Sequence, residues 1–216
     1  MTARGYFVTG TDTDVGKTVV SAILCRALGA GYWKPVQAGL QPATDVQTVK
    51  QLAGGSMGPI FPSRHVLRQP RSPHEAAAAE GVSIDLSDFK LPESTGPLVV
   101  EGAGGALVPL NGHAVMADLM KSLGLPVVVV ARTTLGTINH TCLTVEALRG
   151  RGIRLAGLVM NGEPDAENRK ALVHYARAPV LLDVPRFERL DGNVIEAWLA
   201  SLPVRNFIRL SKSDEI

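Results

Sequence analysis

Cysteine is scarce in this chain. Cys25 and Cys142 are the only two in 216 residues, and they follow no spacing pattern. That excludes a disulfide-built fold and reads as two small core hydrophobes in a reducing cytoplasm. A surplus of one charge is also missing. Twenty-two Lys and Arg against twenty Asp and Glu leave a net charge of +2, too little to argue for nucleic acid or an anionic membrane as partner. The longest apolar run, residues 123–131, is interrupted by Gly124 and Pro126. It falls far short of the roughly 20 residues that span a bilayer. No apolar secretory segment precedes the first strand. Repeats and low-complexity tracts are absent as well. What remains, 45% hydrophobic and 19% charged, is the composition of a soluble globular chain, and the length favours one α/β domain over residues 1–216.

The most informative stretch is residues 8–18, V-T-G-T-D-T-D-V-G-K-T. A short apolar strand (Tyr6, Phe7, Val8) enters it and an apolar helix leaves it from Val19. A glycine-bracketed turn ending in Gly-Lys-Thr between strand and helix is the layout of a phosphate-binding P-loop. Backbone N–H groups face phosphate oxygens, Lys17 adds a point charge, and the Thr18 hydroxyl reaches a magnesium ion. The strict pattern places a glycine where this chain has Thr11. Gly10 lies one residue further back, so the loop is one residue longer than the standard form.

The run G-Y-W-K-P-V at 31–36 predicts a short strand that stops near Pro35, because proline cannot donate to a ladder. Lys34 then sits at a strand end, where open α/β sheets place ligands. Residues 37–43 read as a loop. Thr44 and Gln47 form a capping box for a helix from Asp45 to about Leu52. Asp45 complements the dipole of that helix, or it binds magnesium; local sequence leaves both open. Residues 56–69, rich in Pro, Gly and Arg, read as irregular, with Arg64, Arg68 and Arg71 as a solvated face. Ser72-Pro73-His74-Glu75 predicts a second capping box, with proline at the first helical position, and His74 as a helix-start residue.

In the stretch G-P-L-V-V-E-G-A-G-G, 96–105, an apolar strand at 98–100 delivers Glu101 at its carboxyl end, ahead of a glycine turn. A buried acid there requires a charged partner or a metal, and in P-loop proteins such an acid reaches magnesium. The β-branched run at 126–131 predicts a strand covered on both faces. It feeds Leu135-Gly-Thr-Ile-Asn-His140, whose Gly136, Thr137 and Asn139 meet free helix N–H groups: a carboxylate or phosphate site, or plain capping. Further strands are expected at 155–161, ending in Asn161, and at 179–183. Helices are expected at 167–175 and 193–202, with a weakly determined tail behind. Strands alternating with helices imply an α/β fold: a doubly wound, mostly parallel sheet with helices on both faces. Lys17, Lys34, Glu101, Gly136 and Asn161 then gather along one edge.

Taken in order, V-T-G-T-D-T-D-V-G-K-T, W-K-P-V-Q, S-P-H, V-E-G-A-G-G, L-G-T-I-N-H and the strand-terminal Asn161 resemble dethiobiotin synthetase, the family that performs the penultimate step of biotin synthesis. The elongated loop is its most specific mark. The resemblance implies a cytoplasmic homodimer that closes a ureido ring on 7,8-diaminopelargonate with CO2, ATP and Mg2+. Through it, Asp14, Val15, Gly16, Lys17, Thr18 and Val19 cradle the phosphates. Lys17 and Lys34 are the catalytic lysines, and Thr18, Asp45 and Glu101 hold Mg2+. Gly102, Ala103 and Gly104 border the nucleotide. Asn161 reads adenine, with Gly162, Pro185, Arg186 and Phe187 lining the base. Ala38 faces the substrate, and Gly136, Thr137, Ile138 and Asn139 bind its carboxylate across the subunit interface.

One position departs from the family pattern. A hydroxyl residue often follows K-P-V-x, and this chain has Ala38 there. Losing one hydrogen bond costs about 0.5–1.5 kcal/mol, which touches substrate affinity rather than reaction class. Two other classes share the sheet and loop. Switch ATPases of the partition and septum-positioning type carry an additional lysine near the loop start, where this chain has Gly10, Thr11 and Asp12. Amidating ligases acting on cobalamin precursors add a glutaminase domain, for which 216 residues leave no room.

Overall fold

Strand β1 (Gly5–Gly10) lies between β6 (Leu98–Gly105) and β7 (Val127–Arg132) in the middle of a seven-stranded sheet. The computed structural model describes residues 5–203; the weakly determined tail lies outside them. The remaining strands are β2 (Gly31–Trp33), β3 (Val36–Ala38), β4 (Ile60–Phe61), β5 (His65–Leu67), β8 (Leu155–Asn161) and β9 (Val180–Val184). The sheet order is β4-β2-β6-β1-β7-β8-β9, and each of its pairings is parallel.

Parallel pairing needs crossovers, and helices supply them on both faces. Helices α1 (Lys17–Leu28), α2 (Asp45–Ala53) and α7 (Gly192–Ser201) cover one face. Helices α3 (Pro73–Ala79), α4 (Met116–Leu123), α5 (Thr137–Arg149) and α6 (Ala166–Tyr175) cover the other. The valine run of β7 shows why both faces must be dry. Val128 and Val130 pack with α1 residues Val20, Ile23 and Leu24, whereas Val127 and Val129 pack with Met116, Leu119 and Leu148. Helix α1 stops where Gly29 turns left-handed and its N–H caps the Cys25 carbonyl. No helix among the described residues is long and apolar enough to cross a membrane.

Four sequence expectations are corrected. Glu101 does not end its strand: β6 runs on through the glycines, with Val8 opposite Glu101 and Gly10 opposite Gly105. The extra residues on the β6 side are absorbed in a bulge where Gly104 takes a positive φ. The expected 37–43 loop begins with β3, and the expected irregular 56–69 segment contains β4 and β5. Strands β3 and β5 form a separate two-stranded parallel sheet. The second capping box does not close. Pro73 takes the first helical turn as expected, but the Ser72 hydroxyl bonds the Glu75 carboxylate instead of a backbone N–H. The Thr44–Gln47 box forms in full.

Candidate active site

The loop after β1 is built on a left-handed turn. Gly16, the N-cap of α1, has φ +96°, and a Cβ there would lie 2.0 Å from Asn161 Nδ2. Only glycine fits, and the tight turn directs the first N–H groups of α1 into a cavity of about 730 Å³. Asn161, at the end of β8, donates from Nδ2 to the Val15 carbonyl at 3.0 Å and braces the loop from the far side. Lys17 is buried and donates to the Asp12 carbonyl at 2.8 Å. Burial, then the neighbouring Lys34 charge, lowers its pKa. Asp12 also pairs with Arg132 at the end of β7, at 2.8 Å.

Strand periodicity assembles the rest. Tyr32 and Lys34 are two residues apart and so share a face, as do Val99 and Glu101 of the adjacent β6. Tyr32 and Val99 both belong to the α1-side core. Lys34, 3% exposed, sits against Glu101, 1% exposed. All three of its protons are used: Asp45 Oδ2 at 2.8 Å, Glu101 Oε1 at 2.9 Å and the Gly102 carbonyl at 2.9 Å. Burial alone would lower its pKa, but Glu101 and Asp45 outweigh that and raise it. Burial would raise the Asp45 pKa, yet Lys34 and the bonds from Thr18 and Gln37 hold it low. Asp45 thus opens α2, where its charge complements the helix dipole, and its carboxylate also joins this cluster.

Thr18 Oγ1 lies 2.8 Å from Asp45 Oδ1 and 2.9 Å from Glu101 Oε1. One hydroxyl proton cannot serve both carboxylates. Three oxygens therefore converge here, and the Lys34 ammonium also donates to the Glu101 oxygen. Among the described residues no three His, Cys, Asp or Glu side chains make a metal cage. Two carboxylates and a hydroxyl nonetheless suit Mg2+, which completes its octahedron with water and phosphate oxygens.

Of the residues expected at the site, Asp14, Gly16, Lys17, Thr18, Lys34, Ala38, Asp45, Glu101, Ala103 and Gly104 line this cavity. Val15 packs into the core behind the loop and Gly102 contributes its carbonyl. Gly162, Pro185, Arg186 and Phe187 lie outside the lining, at the ends of β8 and β9, and Phe187 packs edge-on against Trp198. Residues 136–139 are also outside it. Thr137 is buried, its hydroxyl bonding the Arg132 carbonyl, so its side chain serves as an internal brace. Gly136 and Asn139 are exposed, beside the fully exposed Leu135.

Three contributors were not singled out from sequence. Tyr32 donates to Glu101 Oε2 at 2.9 Å; burial and the Glu101 charge push its pKa well up and keep it a donor. Its period-2 relation to Lys34 was the available signal. Buried Gln37 accepts from the Asp45 N–H and donates to the Gly39 carbonyl, fixing the entry to α2. Arg71, read as part of a solvated face, lines the cavity and has no side-chain hydrogen bond or ion pair among the described residues.

The chain is similar to known proteins along nearly all of its length. A family model described as an AAA domain matches residues 4–194. The ATP-dependent dethiobiotin synthetase BioD of Paramagnetospirillum magneticum is 50% identical over 94% of this chain and 97% of its own length. The biotin biosynthesis bifunctional protein BioCD of Bordetella avium is 47% identical over 93% of this chain, which spans only 43% of that longer protein. The crystal structure of the Pyrococcus furiosus cell division ATPase MinD superposes with a TM-score of 0.54 over 100% of this chain and 99% of its own. At 16% identity that likeness shows the shared fold alone. Near-half identity over more than nine-tenths of the chain shows common descent, and the chain belongs to the dethiobiotin synthetase family.

Proposed function

We propose that the chain works as a single P-loop domain that closes the ureido ring of dethiobiotin from 7,8-diaminopelargonate, CO2 and ATP, releasing ADP and phosphate. The observation that carries the reading is the buried Lys34 ammonium, 2.8–2.9 Å from two carboxylates that also meet the P-loop threonine. It stands where an acceptor and a phosphoryl group can meet across one cavity.

One substrate amine adds to CO2 and loses a proton, giving a carbamate. A carbamate oxygen attacks the γ-phosphorus as the bond to ADP breaks, and the product is a carbamic–phosphoric anhydride. The second amine attacks its carbonyl carbon, phosphate leaves and the ring closes. Phosphoryl transfer of this kind needs positioning and charge neutralisation more than covalent help. The α1 N-terminus and residues 14–19 hold the phosphates, and Lys17 leaves the Asp12 carbonyl to neutralise the transferring group. Lys34 would turn from the carboxylates, whose charge a bound cation would take over, to orient the carbamate and the γ-phosphate. Thr18, Asp45 and Glu101 would hold Mg2+, which would supply charge neutralisation at the phosphates. Asn161 uses its donor on the loop, which leaves its oxygen to accept from the adenine amine, with Gly162 and residues 185–187 beside the base.

The reading includes a homodimer in which residues 136–139 of one subunit hold the substrate carboxylate for the other. Leu135, which directly precedes these residues, and Leu107 and Leu143, which line one groove with His140, support it, since each is at least half exposed and exposed apolar side chains of this kind suit an interface.

The test is incubation with MgATP, bicarbonate and diaminopelargonate, followed by detection of phosphate and the ring-closed product. ATP turnover indifferent to the diamine would refute the assignment. For the shared site, a variant altered at residues 136–139 is mixed with a Lys17→Ala variant. Activity should return once subunits exchange, and no recovery after verified exchange would count against the shared site.

A further inference from the structure

The two carboxylate oxygens of Glu101 have different fates. Oε1 faces the loop, 2.9 Å from both Thr18 Oγ1 and Lys34 Nζ. Oε2 faces into the sheet, where the Tyr32 hydroxyl donates to it at 2.9 Å. Tyr32 has no solvent exposure and packs in the α1-side core. Its strand, β2, pairs with β6 through Gly31–Leu98, Tyr32–Val99 and Trp33–Val100. The donor is thus fixed on a rigid element, and turning Oε2 toward the cavity would strand a buried hydroxyl.

We infer that Tyr32 is a positioning residue that restricts Glu101 to one-oxygen ligation and so biases the site toward a small divalent cation over a larger one. The inference rests on the proposed reading of Thr18, Asp45 and Glu101 as a cation site. Mg2+ requires near-octahedral geometry and takes one oxygen from each carboxylate without penalty. Ca2+ binds six to eight oxygens and readily takes both oxygens of a carboxylate. With Oε2 held by a buried donor, the second mode requires breaking a hydrogen bond to a charged group. Selectivity then comes from an obstacle to the wrong ion as much as from a fit to the right one.

The experiment measures binding of a fluorescent ATP analogue while Mg2+ or Ca2+ is titrated. It compares the parent, Tyr32→Phe, Glu101→Gln and the double variant. The parent should prefer Mg2+. Tyr32→Phe should keep Mg2+-supported binding within a few-fold and gain Ca2+-supported binding, so that the preference falls about ten-fold, the scale of one hydrogen bond to a charge. In the Glu101→Gln background, Tyr32→Phe should change nothing further, because the effect runs through the carboxylate. An unchanged preference in Tyr32→Phe, in a protein whose binding depends on both divalent ion and Glu101, overturns the inference. Parent binding indifferent to divalent ions and to Glu101→Gln overturns the cation-site reading itself.

If Tyr32→Phe does not fold, 4-fluorophenylalanine at position 32 fills the hydroxyl's volume without donating and should show the same loss. 4-Aminophenylalanine, which restores an N–H donor, should recover the parent's preference; failure of that rescue counts against a hydrogen-bond role.

Discussion

Replacing Lys34 with methionine keeps most of the side-chain volume and removes one charge. The structure sets the size of the effect. Lys34 Nζ lies 2.8 Å from Asp45 and 2.9 Å from Glu101, and the Glu101 carboxylate is 1% exposed. Removing one partner of a buried pair costs about 3–5 kcal/mol, because the other charge stays behind uncompensated. Asp45 is 31% exposed and water relieves part of its share, which places the expectation near the lower end, ~3 kcal/mol. For a chain of this size 1 kcal/mol shifts Tm by about 2–4 °C, so Lys34→Met should melt about 6–12 °C below the parent. Saturating MgATP should narrow that gap, since ligand linkage favours the folded state. Turnover is a separate readout. Losing a preorganised charge at the transferring group costs about 10²–10³-fold in kcat, with nucleotide affinity much less affected. Thermal unfolding with and without MgATP, together with steady-state ADP release, tests both. A Tm within 2 °C of the parent, or turnover within a few-fold, would refute the reasoning.

Four other predictions follow from named contacts. Gly16→Ala meets both a left-handed φ and Asn161 Nδ2 at 2.0 Å, whereas Gly136→Ala, at φ +92°, meets nothing within 4 Å. Isothermal titration should show nucleotide affinity lost at least ten-fold in the first and retained in the second, while thermal melts show each losing about 1–3 kcal/mol to backbone strain. Leu135→Asp places a charge on a fully exposed leucine and, if the proposed dimer forms, should shift sedimentation toward the monomer; unaltered sedimentation would exclude Leu135 from that proposed interface. Arg71→Ala should raise the KM for the diamine several-fold and leave that for ATP alone, because the unpaired guanidinium lines the side of the cavity near Ala38 and Gly39; equal KM values would return Arg71 to the solvent. Burial raises the Cys25 thiol pKa strongly, and the side chain has no exposure, so a thiol reagent at pH 8 should label Cys142 first and Cys25 only on unfolding. Equal labelling rates in the folded protein would contradict that.

Much of the sheet could be read in the chain because long β-branched runs bounded by glycine and proline leave few alternatives, as at 126–131. The Thr44–Gln47 box could be read because both partners are short-range. Ser72–Glu75 has the same spacing and did not close, since the two side chains bond each other. Helix α4 went unread because its N-cap is Val115, whose N–H is satisfied by Asp118 from three residues ahead. Strands of two or three residues such as β4 and β5 carry too little periodicity to register. Lys17 was legible from the glycine-bracketed loop, and Lys34 and Glu101 from their places at the ends of predicted strands. Tyr32, Gln37 and Arg71 were not, because their importance lies in which strand or loop sits next to them, and that is settled only by tertiary pairing.

Strand β6 has a consequence for the order in which the protein is made. Residues 5–45 already hold the loop, Lys34 and Asp45, yet β1 and β2 do not pair with each other; β6 lies between them. The Thr18–Glu101 contact spans 83 residues. A chain emerging from the ribosome therefore carries two strands with facing open edges until about residue 105 arrives to fill the gap. The nucleotide site cannot assemble before that step, so a nascent chain halted ahead of β6 should bind no ATP, and its unpaired edges are where a chaperone or another chain would dock.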